Sequence, residues 1–181
     1  MKKPRTYYLT LSQTFPATHP RKGEPTYFKE KMANAIYHMR HQEVFEPGEQ
    51  NDGDEKYHTI RANYKLWQKR FEQIAAGEAV LSVRQWSGKP YRSKMVEICR
   101  LTKDDGIGIQ KLKFASDRDG CQCWWNFSID GRYCHYDTKA DYVPNKLAEN
   151  DGLSYKDWQD WFRNYDLSKP LAIIHFTKFR Y

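Results

Sequence analysis

The sequence predicts a single α+β domain over residues 1–181, in which mainly antiparallel strands form a small barrel or a strongly curved sheet with helices at its rim. Two observations predict this fold class. Helical spacing of apolar residues occurs early in the chain and again late, and a run of strand-like segments with a tight hairpin signal lies between. At 181 residues with 15% aromatic residues, the chain is long enough and apolar enough to bury a core of its own.

Four segments carry helix signals. Residues 26–40 repeat apolar side chains at helical spacing. Asn63 can cap a second helix, which Gly77 is placed to end. A short helix is predicted around Pro144, and another begins at Ser154, whose hydroxyl can cap it.

Strand signals are segments rich in β-branched and aromatic residues, and most of them lie between the helices. The predicted strands are residues 6–12, 57–61, 79–86, 93–102, 107–114, 121–129 and 170–179. Asp130-Gly131 is a strong signal for a two-residue hairpin that turns the chain into RYCHYD.

The net charge of +7 is unevenly placed along the chain. Residues 1–40 carry eight Lys or Arg against two acids, and residues 56–120 carry fourteen against seven. Residues 41–55 carry six acids and no Lys or Arg. We expect an anionic partner on the basic part of the chain and a solvated loop at 41–55, where a protein partner could also bind.

The N-terminal segment and the overall hydropathy favour a cytoplasmic protein without a membrane anchor. No apolar run approaches the ~18 residues that a membrane span needs. The first residues, MKKPRTYYLTLS, lack the apolar stretch and the cleavage site of a signal peptide.

The cysteines raise the question of a zinc site. The cysteines that lie near one another, with an adjacent histidine, are Cys121, Cys123, Cys134 and His135. If Asp130-Gly131 is the turn, Phe127 pairs with Cys134, and Cys123 then lies about 13 Å away at roughly 3.3 Å per residue. One ion cannot bridge that distance, so we predict buried structural thiols and no metal. The sequence also holds no phosphate-cradling glycine loop of the P-loop or dinucleotide type, and no cofactor is predicted.

RQWSGKPYRSK, at residues 84–94, interleaves cations with aromatic side chains on a predicted strand–turn–strand. The side chains concerned are Arg84, Trp86, Lys89, Tyr91, Arg92 and Lys94. Cations contact phosphates and aromatic faces stack on unpaired bases, so this mixture is typical of binding to single-stranded or flipped-out nucleic acid. A solvated hairpin anchored by two aromatic residues is the alternative.

EKYHTIRAN, at residues 55–63, holds Lys56, Thr59 and Arg61. A lysine with a lowered pKa can take the proton of a threonine nucleophile, and an arginine can stabilise the developing charge. On a regular strand Thr59 and Arg61 share a face and Lys56 does not, so Lys56 reaches the threonine only if residues 54–57 are still turning. An edge strand with a solvated lysine is the alternative.

Two stretches, PTYFKEKM and EKYHTIR, resemble the opening of the ASCH domain, a PUA-like barrel family tied to RNA. In that family a helix precedes a Gly-x-Lys-x-x-Glu-x-Arg motif that enters a strand. Here the motif positions read Asp54, Lys56, Thr59 and Arg61, with the glycine displaced to Gly53. Threonine in place of glutamate is the variant found in the ASCH-like bacterial N4-acetylcytidine amidohydrolases, Lys-x-x-Thr-x-Arg.

This resemblance implies a PUA-like barrel with three catalytic residues, namely the lysine, the threonine and a later glutamate in a Glu-Asn pair. Glu149-Asn150 matches that pair, so the implied catalytic residues are Lys56, Thr59 and Glu149, with Arg61 binding the substrate. Asp151 is the rival carboxylate, because many ASCH domains place an acid before a glycine here.

Two functions stay open at this point. The chain could hydrolyse an N-acylated cytidine-type amide, or it could be a non-catalytic module that holds a base or nucleotide in the same pocket. The implied partner is a modified nucleoside or a nucleic acid, with RNA favoured over DNA. The acidic insertion at 41–55 and an extra hairpin near 121–137 depart from the family and are expected to reshape the mouth of the pocket.

Overall fold

The computed structural model describes residues 3–41, 54–116, 122–134 and 143–181. Within these residues, helices and strands form an α+β fold. The helices are α1 (Phe28–His41), α2 (Tyr64–Ala75), α3 (Val143–Asn150) and α4 (Tyr155–Phe162). The strands are β1 (Arg5–Thr10), β2 (His58–Arg61), β3 (Ala79–Trp86), β4 (Met95–Leu101), β5 (Gly108–Ser116), β6 (Gln122–Ile129), β7 (Arg132–Cys134) and β8 (Leu171–His175).

The strands form two sheets. Three strands pair in the order β1-β3-β4, and five pair in the order β2-β8-β5-β6-β7. The β1–β3 pair is parallel, whereas the other pairs in these sheets are antiparallel. The prediction of an α+β fold with mainly antiparallel strands is confirmed. Among the described residues the two sheets stay open, and their pairing does not close a barrel.

Local signals in the sequence predicted two helix caps and one tight turn. Asn63 caps α2 by accepting a hydrogen bond from the Leu66 amide (3.2 Å), and Ser154 caps α4 by accepting one from the Asp157 amide (3.1 Å). Asp130 and Gly131 both have positive φ, 50° and 82°, as a two-residue hairpin requires. Phe127 therefore faces Cys134 in the β6–β7 register, as predicted.

The hydrophobic core is formed by buried side chains from both sheets and from the helices. β8 is central in its sheet, where it pairs with β2 and β5, and its side chains are buried along its whole length. On α4, Trp158 and Phe162 are buried at i and i+4 and form an apolar stripe, while Trp161 is half-buried at its margin. β8 ends at His175, earlier than predicted, because the Thr177 hydroxyl then accepts a hydrogen bond from the Phe179 amide (3.2 Å) in a turn.

Several sequence predictions fall on residues outside this description. Most of the acidic insertion at 41–55 does, as do residues 135–137 of the extra hairpin and the side chains of Cys121 and Cys123. Cys99 and Cys134 are free thiols and only half-buried. No helix in the described ranges is long and apolar enough to cross a membrane.

Candidate active site

A cleft of about 650 Å³ opens where the loop after β1 faces the start of β2 and the α3–α4 junction. The loop after β1 contributes residues 10–17, and the turn after β3 contributes Trp86 and residues 88–91. The charged or hydroxyl-bearing side chains from β2 and the α3–α4 junction are Lys56, Thr59, Arg61 and Asp151. The structure therefore brings the three predicted residues of EKYHTIRAN to one cleft.

Lys56 reaches the cleft because the chain before β2 is not yet a regular strand. The Lys56 amide donates to the Lys31 carbonyl (3.0 Å), and the Tyr57 amide donates to the Asn150 carbonyl (2.9 Å), so α1 and α3 hold this segment from both sides. The regular strand begins only at His58. β2 is an edge strand, but Lys56, which precedes it, is 0% exposed, which contradicts the alternative of a solvated lysine.

The Lys56 ammonium has three neighbours in this buried position. It donates hydrogen bonds to the Asp151 carboxylate and to the Asp151 main-chain carbonyl. It also lies over the ring of Phe28, 4.1 Å from the centroid. A buried ammonium needs such partners, since an isolated charge is expensive to remove from water.

Burial disfavours the charged form of both Lys56 and Asp151. It lowers the pKa of Lys56 to about 8, and the Asp151 carboxylate only partly opposes that change. Burial likewise raises the pKa of Asp151, against the influence of Lys56 and Arg61 and a hydrogen bond from Trp158. With a pKa about 8, roughly a tenth of the Lys56 side chains are neutral at pH 7 and able to accept a proton.

Thr59 and Arg61 share one face of β2, as predicted for residues two apart on a strand. Arg61 donates a hydrogen bond to Thr59 Oγ1 (2.8 Å). The same guanidinium donates to the Thr10 carbonyl (2.7 Å) and the Ile60 carbonyl (2.9 Å), so its position is determined from two strands. Burial lowers the pKa of Arg61, yet a guanidinium stays charged in proteins and remains a permanent cation beside the threonine oxygen.

The carboxylate beside Lys56 belongs to Asp151, the rival residue, whereas Glu149 does not line the cleft. The helical period explains the difference. The Asp151 amide, directly after α3, still donates to the Leu147 carbonyl (3.2 Å), so these two residues lie at i and i+4 on the buried side, and Glu149, two residues from each, lies on the opposite side. The Glu149 carboxylate is 39% exposed and pairs with Lys146 at 3.9 Å. We therefore replace Glu149 by Asp151 as the candidate carboxylate.

Gly152 forms the turn that presents Asp151 to Lys56. Its φ is +79°, and its amide donates to the Glu149 carbonyl at 2.7 Å to end α3. A Cβ at Gly152 would lie 3.3 Å from the Lys56 Cβ and 3.4 Å from the Lys31 Cδ. Glycine is thus required here twice, for the left-handed backbone and for the close approach.

Only some side chains of the hairpin at residues 84–94 line the cleft, and the others lie elsewhere on the surface. Trp86, Lys89 and Tyr91 line the cleft, and the Trp86 and Tyr91 rings lie 5.3 Å apart with Tyr91 89% exposed. Arg84 instead lies over the Tyr8 ring, 4.3 Å from its centroid, outside the cleft. The other two predicted binding residues, Arg92 and Lys94, are exposed on the surface of the hairpin and also outside the cleft lining.

Several aromatic residues that line the cleft were not predicted from the sequence. Phe28, Trp161 and Tyr165 line the cleft, as does the loop at residues 10–17. Trp161 carried a weak signal, because it sits at the edge of the apolar stripe of α4. The loop carried none, since its placement depends on the parallel pairing of β1 with β3.

The fold and the cleft define a class, namely an α+β protein with a buried Lys–Asp pair beside a threonine and an arginine. Comparison with models of known protein families gives no match, and comparison with curated proteins and with solved structures gives no significant match. Across the described ranges, no cluster of three or more His, Cys, Asp or Glu is placed to hold a metal ion.

Proposed function

We propose that this chain is a divergent ASCH domain that hydrolyses an N-acylated cytidine-type amide in the Lys56–Asp151 cleft, and that its two sheets correspond to the PUA-like barrel of that family. One observation carries the proposal: the buried Asp151 carboxylate lies against Lys56 in the cleft that Thr59 and Arg61 also line. Amide hydrolysis needs a group that protonates the leaving amine, which a carboxyl with a raised pKa can do. A site that only binds anions gains nothing from a buried carboxylate, which repels phosphate.

The residues suggest a two-step reaction. Neutral Lys56 accepts the proton of Thr59, and the Thr59 oxygen attacks the acyl carbon while Arg61 stabilises the negative charge. The carbon–nitrogen bond breaks, and the Lys56–Asp151 pair returns the proton to the departing exocyclic nitrogen. Water then hydrolyses the threonine ester, releasing the carboxylic acid and restoring the hydroxyl.

The dimensions and walls of the cleft fit a nucleoside. A volume of about 650 Å³ lies inside the range of small-molecule sites. Trp86, Trp161 and Tyr165 supply aromatic faces for a pyrimidine, and Lys89 at the rim supplies a cation.

The proposal is tested by following cytidine release from N4-acetylcytidine. We compare the wild type with Thr59→Val, which keeps the shape of the side chain, and with Lys56→Met. Loss of a nucleophile or its base lowers kcat by at least about 100-fold. Release that survives in the Lys56→Met, Thr59→Val double variant would contradict this mechanism.

The Trp86–Tyr91 pair favours a second candidate function. An exposed tyrosine beside a half-buried tryptophan offers a stacking surface for an unpaired base at the cleft mouth. A binding module predicts RNA affinity that falls with salt and with Arg92→Ala or Lys94→Ala, without product formation. Affinity that is indifferent to salt and to both substitutions would refute it.

A further inference from the structure

A second cavity adjoins the candidate active site. It has a volume of about 670 Å³ and lies at the start of α2 and the loop before β8. Tyr165 lines both this cavity and the active-site cleft, so the two are neighbours across one aromatic side chain.

A third depression continues the second on its far side. It measures about 400 Å³ and shares Tyr64 and Lys111 with the second cavity. Its outer part holds Lys113 and Tyr133, and Tyr133 is 70% exposed. Lys111 and Lys113 are two apart on β5, so both project from the same face of the sheet. We call the surface that runs from Tyr165 through Tyr64 to Tyr133 the tyrosine track.

The tyrosine track is basic. Its lysines, all exposed, are Lys65, Lys111, Lys113 and Lys169. Its acids are Asp166, which pairs with Lys169 at 2.7 Å, and Asp130, which accepts hydrogen bonds from Gln110 (3.0 Å) and the Lys111 amide (2.8 Å). Four cations against two acids leave a net positive surface in which both acids already have partners within the protein.

We propose that the tyrosine track binds a single strand of RNA whose neighbouring base enters the active-site cleft. Aromatic faces take up unpaired bases without regard to sequence, while lysines contact the phosphates between them. The Lys111 ammonium lies 5.7 Å from the centre of the Tyr64 ring, so a cation that can contact a phosphate lies beside an aromatic side chain. This inference rests on the proposed function and extends it, because the substrate base is then part of a strand rather than a free nucleoside.

Binding to a fluorescent oligocytidine RNA of about eight nucleotides, within the site sizes of small single-strand binding domains, tests the proposal. The test variants are Lys111→Ala with Lys113→Ala, and Tyr133→Ala. The matched control is Lys69→Ala with Lys103→Ala, two exposed lysines outside the track. We expect the Lys111, Lys113 variant to weaken binding at least tenfold and to reduce the salt slope by roughly 1.4, about 0.7 for each lost phosphate contact on a single strand.

The hydrolysis assay is run beside the binding assay, with the same oligonucleotide carrying one N4-acetylcytidine. The ratio of kcat/KM on this RNA to kcat/KM on free N4-acetylcytidine is expected to fall at least tenfold in the track variants and not in the control. Track variants that bind RNA as tightly as the control overturn the proposal, even if the free nucleoside is hydrolysed. Track-dependent binding without any hydrolysis supports the track and instead refutes the proposed activity.

Discussion

Asp151→Asn removes the charge that faces Lys56 and keeps the shape of the side chain. At pH 7 the variant must either hold an unpaired buried ammonium or release its proton. Because the pKa in folded wild type is about 8, releasing the proton at pH 7 costs about 1.4 kcal/mol relative to wild type, and this part of the loss depends on pH. Breaking a buried pair by removing one member costs about 3–5 kcal/mol in general, because the hydrogen bonds between the two groups are lost as well. We expect Asp151→Asn to lose about 3–5 kcal/mol of unfolding free energy.

The pH dependence of this loss has a definite sign. The lowered pKa means that folded wild type keeps its Lys56 proton up to pH about 8, whereas in folded Asp151→Asn the pKa is lower still. Unfolded chains of both proteins hold the lysine proton equally. The difference in stability therefore shrinks by about 1 kcal/mol from pH 7 to pH 8 and by about 1.4 kcal/mol in total, and it levels off above pH about 9, because wild type also loses the proton.

Urea unfolding followed by tryptophan fluorescence measures these free energies. A double-mutant cycle with Lys56→Met isolates the coupling, because the double variant leaves neither charge buried without its partner. We expect the double variant to be at least about 3 kcal/mol more stable than the sum of the two single losses predicts. Additive losses, within about 0.5 kcal/mol, would refute a buried Lys56–Asp151 pair.

Three further predictions follow from the site and its surroundings. Because Lys56 must be neutral to act as a base, kcat/KM on N4-acetylcytidine should rise with pH to a plateau above about 8, and a flat profile from pH 6 to 9 would exclude that role. Burial lowers the pKa of His175 to about 3, so below pH 6.5 the unfolded chain binds a proton on this histidine that the folded chain does not bind. The free energy of unfolding should therefore fall by roughly 2 kcal/mol between pH 7 and 5 because of this group. Urea titrations of His175→Phe should lack that part of the pH dependence. Gly131 and Gly152 both have positive φ, but of these two only Gly152 has neighbours within 4 Å of an added Cβ. Gly131→Ala should therefore lower the free energy of unfolding by about 1–2 kcal/mol, and Gly152→Ala should lower it by more. Only Gly152→Ala should also lose activity.

The parts of the fold that local chemistry determines were predictable. Asn63, Ser154 and the Asp130-Gly131 turn each carry their signal within a few residues, and each occurs where expected. The parallel pairing of β1 with β3 was not predicted, since it joins segments about seventy residues apart through no local signal. The same pairing places the loop at residues 10–17 on the cleft.

The candidate site was predictable in part for similar reasons. Thr59 and Arg61 share a strand face, which alternation alone predicts. The position of Lys56 depends on the irregular chain before β2. Contacts of this segment with α1 and α3 bury the lysine, and these contacts cannot be predicted from local sequence. The motif offset favours Glu149 over Asp151, but burial at the end of α3 places Asp151 in the cleft, and that burial depends on tertiary packing.

Cytidine release from N4-acetylcytidine by Asp151→Asn and Glu149→Gln, each normalised to its folded fraction, tests the central claim most directly. The account predicts that Asp151→Asn loses at least about 100-fold in kcat/KM, while Glu149→Gln stays within about twofold of wild type. Loss of activity in Glu149→Gln with retention in Asp151→Asn, or a wild type that releases no cytidine at all, would contradict it.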